Sequence, residues 1–196
     1  MAMIQNTAFE TKVTNRVFDE PANITGLFKN GSGNDEILFA GALCVRDELL
    51  PNEGYEAAGV LNNNTWSMVL ATSAATANTP IYACNTYNVN ELTDPVTGNT
   101  YKVGSNTLGL PAPAGVLTTY TRIHFAAGDR HYRFGIGNLT TELGENEFFT
   151  INNGQLVPAA AAPAAGTPYF KLLGTGNFVA GAYNSFGYVD VEAHIA

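Results

Sequence analysis

Glu147-Phe148-Phe149-Thr150-Ile151-Asn152-Asn153-Gly154-Gln155-Leu156-Val157 is the stretch that decides the fold class. Asn-Gly supplies the two positive φ angles of a type I′ turn, the tight turn whose twist matches that of paired strands. The flanks, Glu147 to Ile151 and Gln155 to Val157, are rich in β-branched and aromatic residues, which favour strands. The stretch therefore predicts a β-hairpin.

The same grammar recurs outward from it. His131-Tyr132-Arg133-Phe134-Gly135-Ile136 alternates polar and apolar, as a strand with one buried face does. Thr118 to Phe125 puts Tyr120, Arg122 and His124 on one face and Thr119, Thr121, Ile123 and Phe125 on the other. Ala126-Ala127-Gly128-Asp129 between these two runs predicts a second hairpin. Phe186 to Ile195 predicts a C-terminal strand, and Glu36 to Cys44 a buried one. Thr65 to Ala71 and Pro80 to Cys84 add two more. Asp94-Pro95-Val96-Thr97-Gly98-Asn99 reads as a turn leading into Thr100 to Val103. Asp47-Glu48-Leu49-Leu50 allows one helical turn before Pro51. No longer amphipathic window survives the Gly and Pro interruptions. The fold class is all-β: a small β-barrel or β-sandwich with long loops.

Two segments differ in texture. Residues 1–34 carry few strand signals and end in Asn30-Gly31-Ser32-Gly33-Asn34, which predicts an extended N-terminal arm and joint before a single β domain over 35–196. Val157 to Pro168 is a Pro/Ala/Gly loop whose prolines prevent the helix its alanines favour.

Charge is distributed unevenly. Nothing charged lies between Glu56 and Glu91, between Lys102 and Arg122, or between Phe148 and Phe170. These runs are built of Asn, Thr, Ala, Gly, Ser and Pro. Soluble proteins ordinarily scatter charge over their surfaces, so long neutral runs suit contact with another protein. The formal net charge of −8 argues against nucleic acid, which requires a basic patch, and against anionic lipid. No window approaches the ~18–20 consecutive apolar residues of a membrane-spanning helix. Met1-Ala2-Met3-Ile4-Gln5-Asn6 lacks the basic start and apolar core of a secretory signal, which predicts synthesis in a cytoplasm. Two cysteines, Cys44 and Cys84, are too few for a disulfide framework and match no zinc spacing; they are expected as buried thiols.

Candidate chemistry is sparse. His124, Asp129 and His131 would converge across the predicted 126–129 hairpin, as a metal site or an acid–base pair. Arg122, Arg130 and Arg133 beside them would repel a divalent cation, so an ordinary polar sheet face is the simpler expectation. Those arginines suit a carboxylate-bearing partner, or equally the protein's own acids on neighbouring strands. Gly135-Ile136-Gly137 and Gly174-Thr175-Gly176 do not complete a nucleotide loop. There is no Gly-x-Ser-x-Gly nucleophile elbow. Tyr82, Tyr87 and Tyr101 are candidates for stacking on sugar if exposed. The sequence therefore predicts no enzyme, no cofactor and no metal, although a hydrolase built on an unrecognised carboxylate pair stays open.

Several features together resemble the head decoration (capsid cement) proteins of tailed bacteriophages. They are the short polar N-terminus Asn6-Thr7-Ala8-Phe9-Glu10, the acidic balance, the Gly/Ala/Pro-rich loops, and Ile37 to Cys44 with a later strand such as Val103, which suggests a small barrel. The resemblance implies a virion protein on the capsid surface, assembled in the host cytoplasm. It implies binding to the major capsid protein lattice as a homo-oligomer, with a trimer favoured. Partner contacts then fall to Phe9, Arg16 and Phe18 of the arm and to Arg122, Arg130 and Arg133. A tail, neck or head-fibre component or a glycan-binding adhesin is the alternative.

Overall fold

The computed structural model describes residues 7–12, 23–50, 65–85, 91–93, 100–102, 111–125, 131–180 and 184–196; for 11–12, 91–93, 100–102, 179–180 and 184–185 it describes the backbone alone. In chain order the strands are β1 (Phe9–Lys12), β2 (Asn23–Phe28), β3 (Leu43–Leu49), β4 (Thr65–Leu70), β5 (Ile81–Cys84), β6 (Glu91–Thr93), β7 (Thr100–Lys102), β8 (Thr118–Arg122), β9 (His131–Gly135), β10 (Phe148–Asn152), β11 (Gln155–Ala159), β12 (Pro168–Ala180) and β13 (Asn184–Ile195). Among the described residues the helical content is a single 3₁₀ turn, Ile136–Asn138.

The strands form a closed five-stranded barrel, β2-β4-β3-β5-β8, and a six-stranded antiparallel sheet, β1-β9-β13-β12-β10-β11. The all-β class is as the alternation predicts, and both a barrel and an open sheet are present. β6 and β7 pair with each other, flanking the predicted 94–99 turn, which itself lies outside the described residues.

Two cores result. Inside the barrel sit Phe28, Leu38, Phe39, Ala42, Cys44, Met68, Tyr82, Cys84, Ala112 and Tyr120. Between barrel and sheet, Leu43, Ile81, Ala83, Ile123 and Phe125 meet Phe9, Tyr132, Phe134, Phe149, Phe170, Val189 and Val191. Period-2 geometry explains how one strand serves both. In β5, Tyr82 and Cys84 point into the barrel while Ile81 and Ala83 face the sheet, so all four residues are buried. Its unbroken apolar sequence is what a strand covered on both faces requires.

The 150s hairpin forms as predicted. Asn152 pairs with Gln155, and Asn153 (φ 48°) and Gly154 (φ 74°) hold the two positive φ angles of the turn. Four other expectations are corrected. The residues flanking 126–129 do not form a hairpin, because β8 belongs to the barrel and β9 to the sheet. Burying Ile123 and Phe125 against the sheet carries the chain from one layer to the other. The N-terminal arm is also overturned for its described part. β1 pairs with β9, and β2 is a barrel strand pairing parallel with β4 and antiparallel with β8, so a boundary at 34/35 would remove a stave. Asp47 and Glu48, expected in a helical turn, continue β3. The strand expected over 36–44 begins only at Leu43; Leu38, Phe39, Ala40 and Ala42 are buried in an irregular segment, with Leu38 bridged to Ala112.

Candidate interaction surface

Two of the neutral runs meet in space. The β4–β5 loop is compact because its threonines cap its own backbone. Ala74 N–H donates to Thr72 Oγ1 (3.3 Å) and Thr76 N–H to Thr79 Oγ1 (3.0 Å). Ala77 N–H then donates to the carbonyl of Gly166 (2.9 Å), in the β11–β12 loop, and Gly166 N–H to the carbonyl of Ala196 (2.8 Å). The barrel's loop and the sheet's loop are thereby stitched side by side. Thr72, Ser73, Ala74, Thr76, Ala77 and Asn78 are exposed on one side of the seam, and Ala160–Ala162 and Ala164–Gly166 on the other.

Such a surface is physically suited to being covered. Removing small neutral groups from water avoids the large desolvation cost of charges. Ala, Ser and Thr also lose little side-chain entropy on being held. The described part of the third neutral run, 111–121, lies at the other end of the barrel. It enters β8 beside Cys84, whereas the β4–β5 loop enters β5 at Ile81. That run exposes half of Leu117.

Two residues of the arginine strip, Arg122 and Arg133, stand on different layers. Arg122 is exposed on the barrel strand β8. Arg133, on β9, makes a two-pronged ion pair with Asp190 of β13 (Nε–Oδ1 2.7 Å, Nη2–Oδ2 2.8 Å) and approaches Glu10 of β1 at 3.7 Å. Its guanidinium also stacks on Tyr188. Cross-strand pairing with the protein's own acids thus accounts for Arg133. Phe9 is corrected as a partner contact: it is buried against Tyr132 and Phe134 in the sheet core. Arg16, Phe18 and Arg130 lie outside the described residues.

The proposed His124–Asp129–His131 cluster loses its basis with the hairpin that would have formed it. Asp129 lies outside the described residues, and His131 faces Glu192 of β13 (3.8 Å), which also holds His194 (2.8 Å). Among the described residues no group of three His, Cys, Asp or Glu side chains is placed to hold a metal ion. Tyr82 is barrel core, 3% exposed, and so is corrected as a sugar platform. Tyr87 lies outside the described residues, and of Tyr101 the backbone alone is described. Cys44 and Cys84 are fully buried; burial pushes both thiols up, Cys84 to about 12, which makes them poor nucleophiles near neutrality.

A feature the sequence did not signal is a groove of about 610 Å³. The 3₁₀ turn and the loop after it (Ile136, Leu139–Leu143) form one side, and Thr175–Asn177 of β12 with Gly187–Val189 of β13 form the other. Thr140, Thr141, Glu142 and Asn177 give it polar groups around the half-exposed Ile136.

Comparison with protein-family models, curated proteins and solved structures finds no match to this chain.

Proposed function

We propose that this chain is a structural virion protein that binds the outer surface of an assembled phage capsid and stabilises the lattice. The observation that carries the reading is the neutral surface stitched by Ala77 and Gly166. Two loops distant in sequence, both free of charge, present small residues side by side. Many copies bridging neighbouring capsid subunits would multiply modest contacts. A protein that binds only the assembled lattice stabilises it by mass action, without turnover. The resemblance to decoration proteins supports the choice of lattice.

The test mixes undecorated capsids with the wild-type protein and with Ala74→Glu and Ala164→Glu, both at exposed loop positions that leave the cores untouched. Occupancy and thermal rupture of the particle are measured. Wild-type binding that either glutamate weakens supports the proposal. Wild-type protein that leaves capsids undecorated overturns it.

The groove beside Ile136 favours one second reading, a virion adhesin that binds glycan. Threonine hydroxyls, Asn177 and Glu142 around an apolar floor match the mixed polar and apolar faces of a sugar. Binding on a glycan array, lost in Asn177→Ala, would move the weight to that reading.

A further inference from the structure

The six-stranded sheet protects its strand edges unequally. A bare edge offers a row of unpaired N–H and C=O groups, and proteins ordinarily guard it with charge, proline, shortness or a covering loop. β1, at one end, is four residues long and carries Glu10 and Lys12. β11, at the other end, carries Pro158 and is covered near Leu156, where Thr140 N–H donates to the Leu156 carbonyl (2.9 Å) and Leu139 forms a bridge.

β12 has a third edge that carries no charge or proline beyond Lys171 and pairs there with no further strand among the described residues. It pairs with β10 only at Phe170 and Lys171, and the last tie on that side is Leu172 N–H to the Glu147 carbonyl (2.7 Å). A bulge between Leu172 and Gly174 marks the point, and residues 139–143 stand across the groove from Thr175–Asn177. Beyond it β12 continues to Ala180, paired only with β13 among the described residues. From Leu173 to Phe178 the sequence Leu-Gly-Thr-Gly-Asn-Phe holds no charge and no proline, and Leu173 is 46% exposed.

We propose that this edge of β12, from Leu173 to Phe178, is a dimerisation edge that pairs antiparallel with the same edge of a second copy. The occupant follows from the chemistry of the edge. The groups a strand turns outward at its edge are alternating backbone donors and acceptors, which another extended strand satisfies in register. An antiparallel edge is its own complement after a twofold rotation, so a second copy presents the matching row at no cost in design. The segment is neutral, so the net charge of −8 is not concentrated where the two copies meet. The sheet would then run continuously through both protomers. This gives twofold symmetry, in contrast with the trimer that the resemblance implies, and it does not depend on the capsid proposal.

The test is sedimentation equilibrium of the full chain, wild type against Leu173→Lys and Thr175→Lys, with circular dichroism as the check on folding. Residues 173 and 175 are exposed in the single chain, so the substitutions spare its cores. Each places a charge on the neutral pairing edge of both copies, and the dimer is expected to weaken by about tenfold or more. Backbone amides of 173–178 should exchange more slowly as wild-type concentration rises. A folded monomer at all concentrations, a trimer, or a dimer that both lysines leave intact would each overturn the proposal. So would protection of these amides that appears only when another protein is added.

Discussion

The guanidinium of Arg133 lies 3.5 Å from the centroid of the Tyr188 ring while its nitrogens grip Asp190 two residues further along β13. The two contacts share one face of the sheet, since residues 188 and 190 point the same way. Arg133 thereby joins β1, β9 and β13 through Glu10, Asp190 and Tyr188. Only a planar fork both meets a carboxylate in two places and stacks on a ring.

Arg133→Lys is therefore expected to behave as a loss. It keeps the charge but removes the two-pronged geometry and the stacking, and should cost about 1–2 kcal/mol of stability. Urea denaturation of the wild type and the variant measures it. A lysine variant as stable as wild type would show that charge alone matters here.

Asn138→Ala should cost more, about 2–4 kcal/mol. Asn138 is fully buried at the junction of the two layers. Its Nδ2 donates to the Ala40 carbonyl (2.7 Å), and its Oδ1 accepts from Ala8 N–H (3.1 Å). Alanine strands both backbone groups away from water. Asn138→Asp keeps the acceptor but loses the donor and buries a charge, so it should be at least as damaging. The midpoint of denaturation reports both. The same burial puts the Asn138-Leu139-Thr140 sequon out of reach of a glycosylating enzyme in the folded protein.

Gly154 and Gly166 separate backbone strain from crowding. Both have positive φ, 74° and 82°. A Cβ at Gly154 would meet Leu70 Cδ2 at 2.6 Å and the Leu43 carbonyl at 3.2 Å, whereas one at Gly166 meets nothing within 4 Å. Gly166→Ala should cost only the left-handed penalty, about 1–2 kcal/mol. Gly154→Ala should exceed it by about 1 kcal/mol or more, because the hairpin must move off the barrel. Equal thermal shifts would refute this contact between turn and barrel.

Cys44 and Cys84 should give the protein an alkaline limit. Burial disfavours the thiolate, so the folded pKa of each lies above the ordinary 9.0, with Cys84 at about 12. Below pH 9 both thiols keep their protons folded and unfolded, and their contribution to stability is constant. Between pH 9 and 12 the unfolded chain releases protons that the folded one retains, so stability falls as pH rises. Cys84→Ala should flatten that fall in denaturation curves across the window. In the native protein at pH 8 neither thiol should be alkylated, and after unfolding both should be. Rapid alkylation without unfolding would contradict the closed barrel.

Local chemistry was legible in the sequence. The Asn153-Gly154 turn and the alternation of β9 depend on backbone sterics and on period-2 geometry within a few residues of chain, whereas the double burial of β5, and with it Tyr82, depends on both layers. The neutral runs were legible as composition, because the absence of charge is a property of sequence alone. Where a strand's partner lies was not. Thr118 to Phe125 and His131 to Ile136 look like two arms of a hairpin, yet Ile123 and Phe125 gain more by packing against the sheet than by continuing the barrel. Residues 23–28 carry weak strand signals, because a stave of a closed barrel is held by neighbours on both sides and needs little propensity of its own. Phe9 reads as an arm contact in sequence, and only the pairing of β1 with β9 places it in the core.

The sequence by itself therefore determined that this is a β protein, that it turns tightly at Asn153-Gly154, and which of its runs lack charge. Tertiary structure alone decided the division into barrel and sheet, the seam at Ala77 and Gly166, the capture of Arg133 by Asp190, and where β12 runs on past β10. Turn and strand preferences are local energies, summed over adjacent residues. Pairing and burial depend on which distant segments meet, and that is set by the closure of the whole chain.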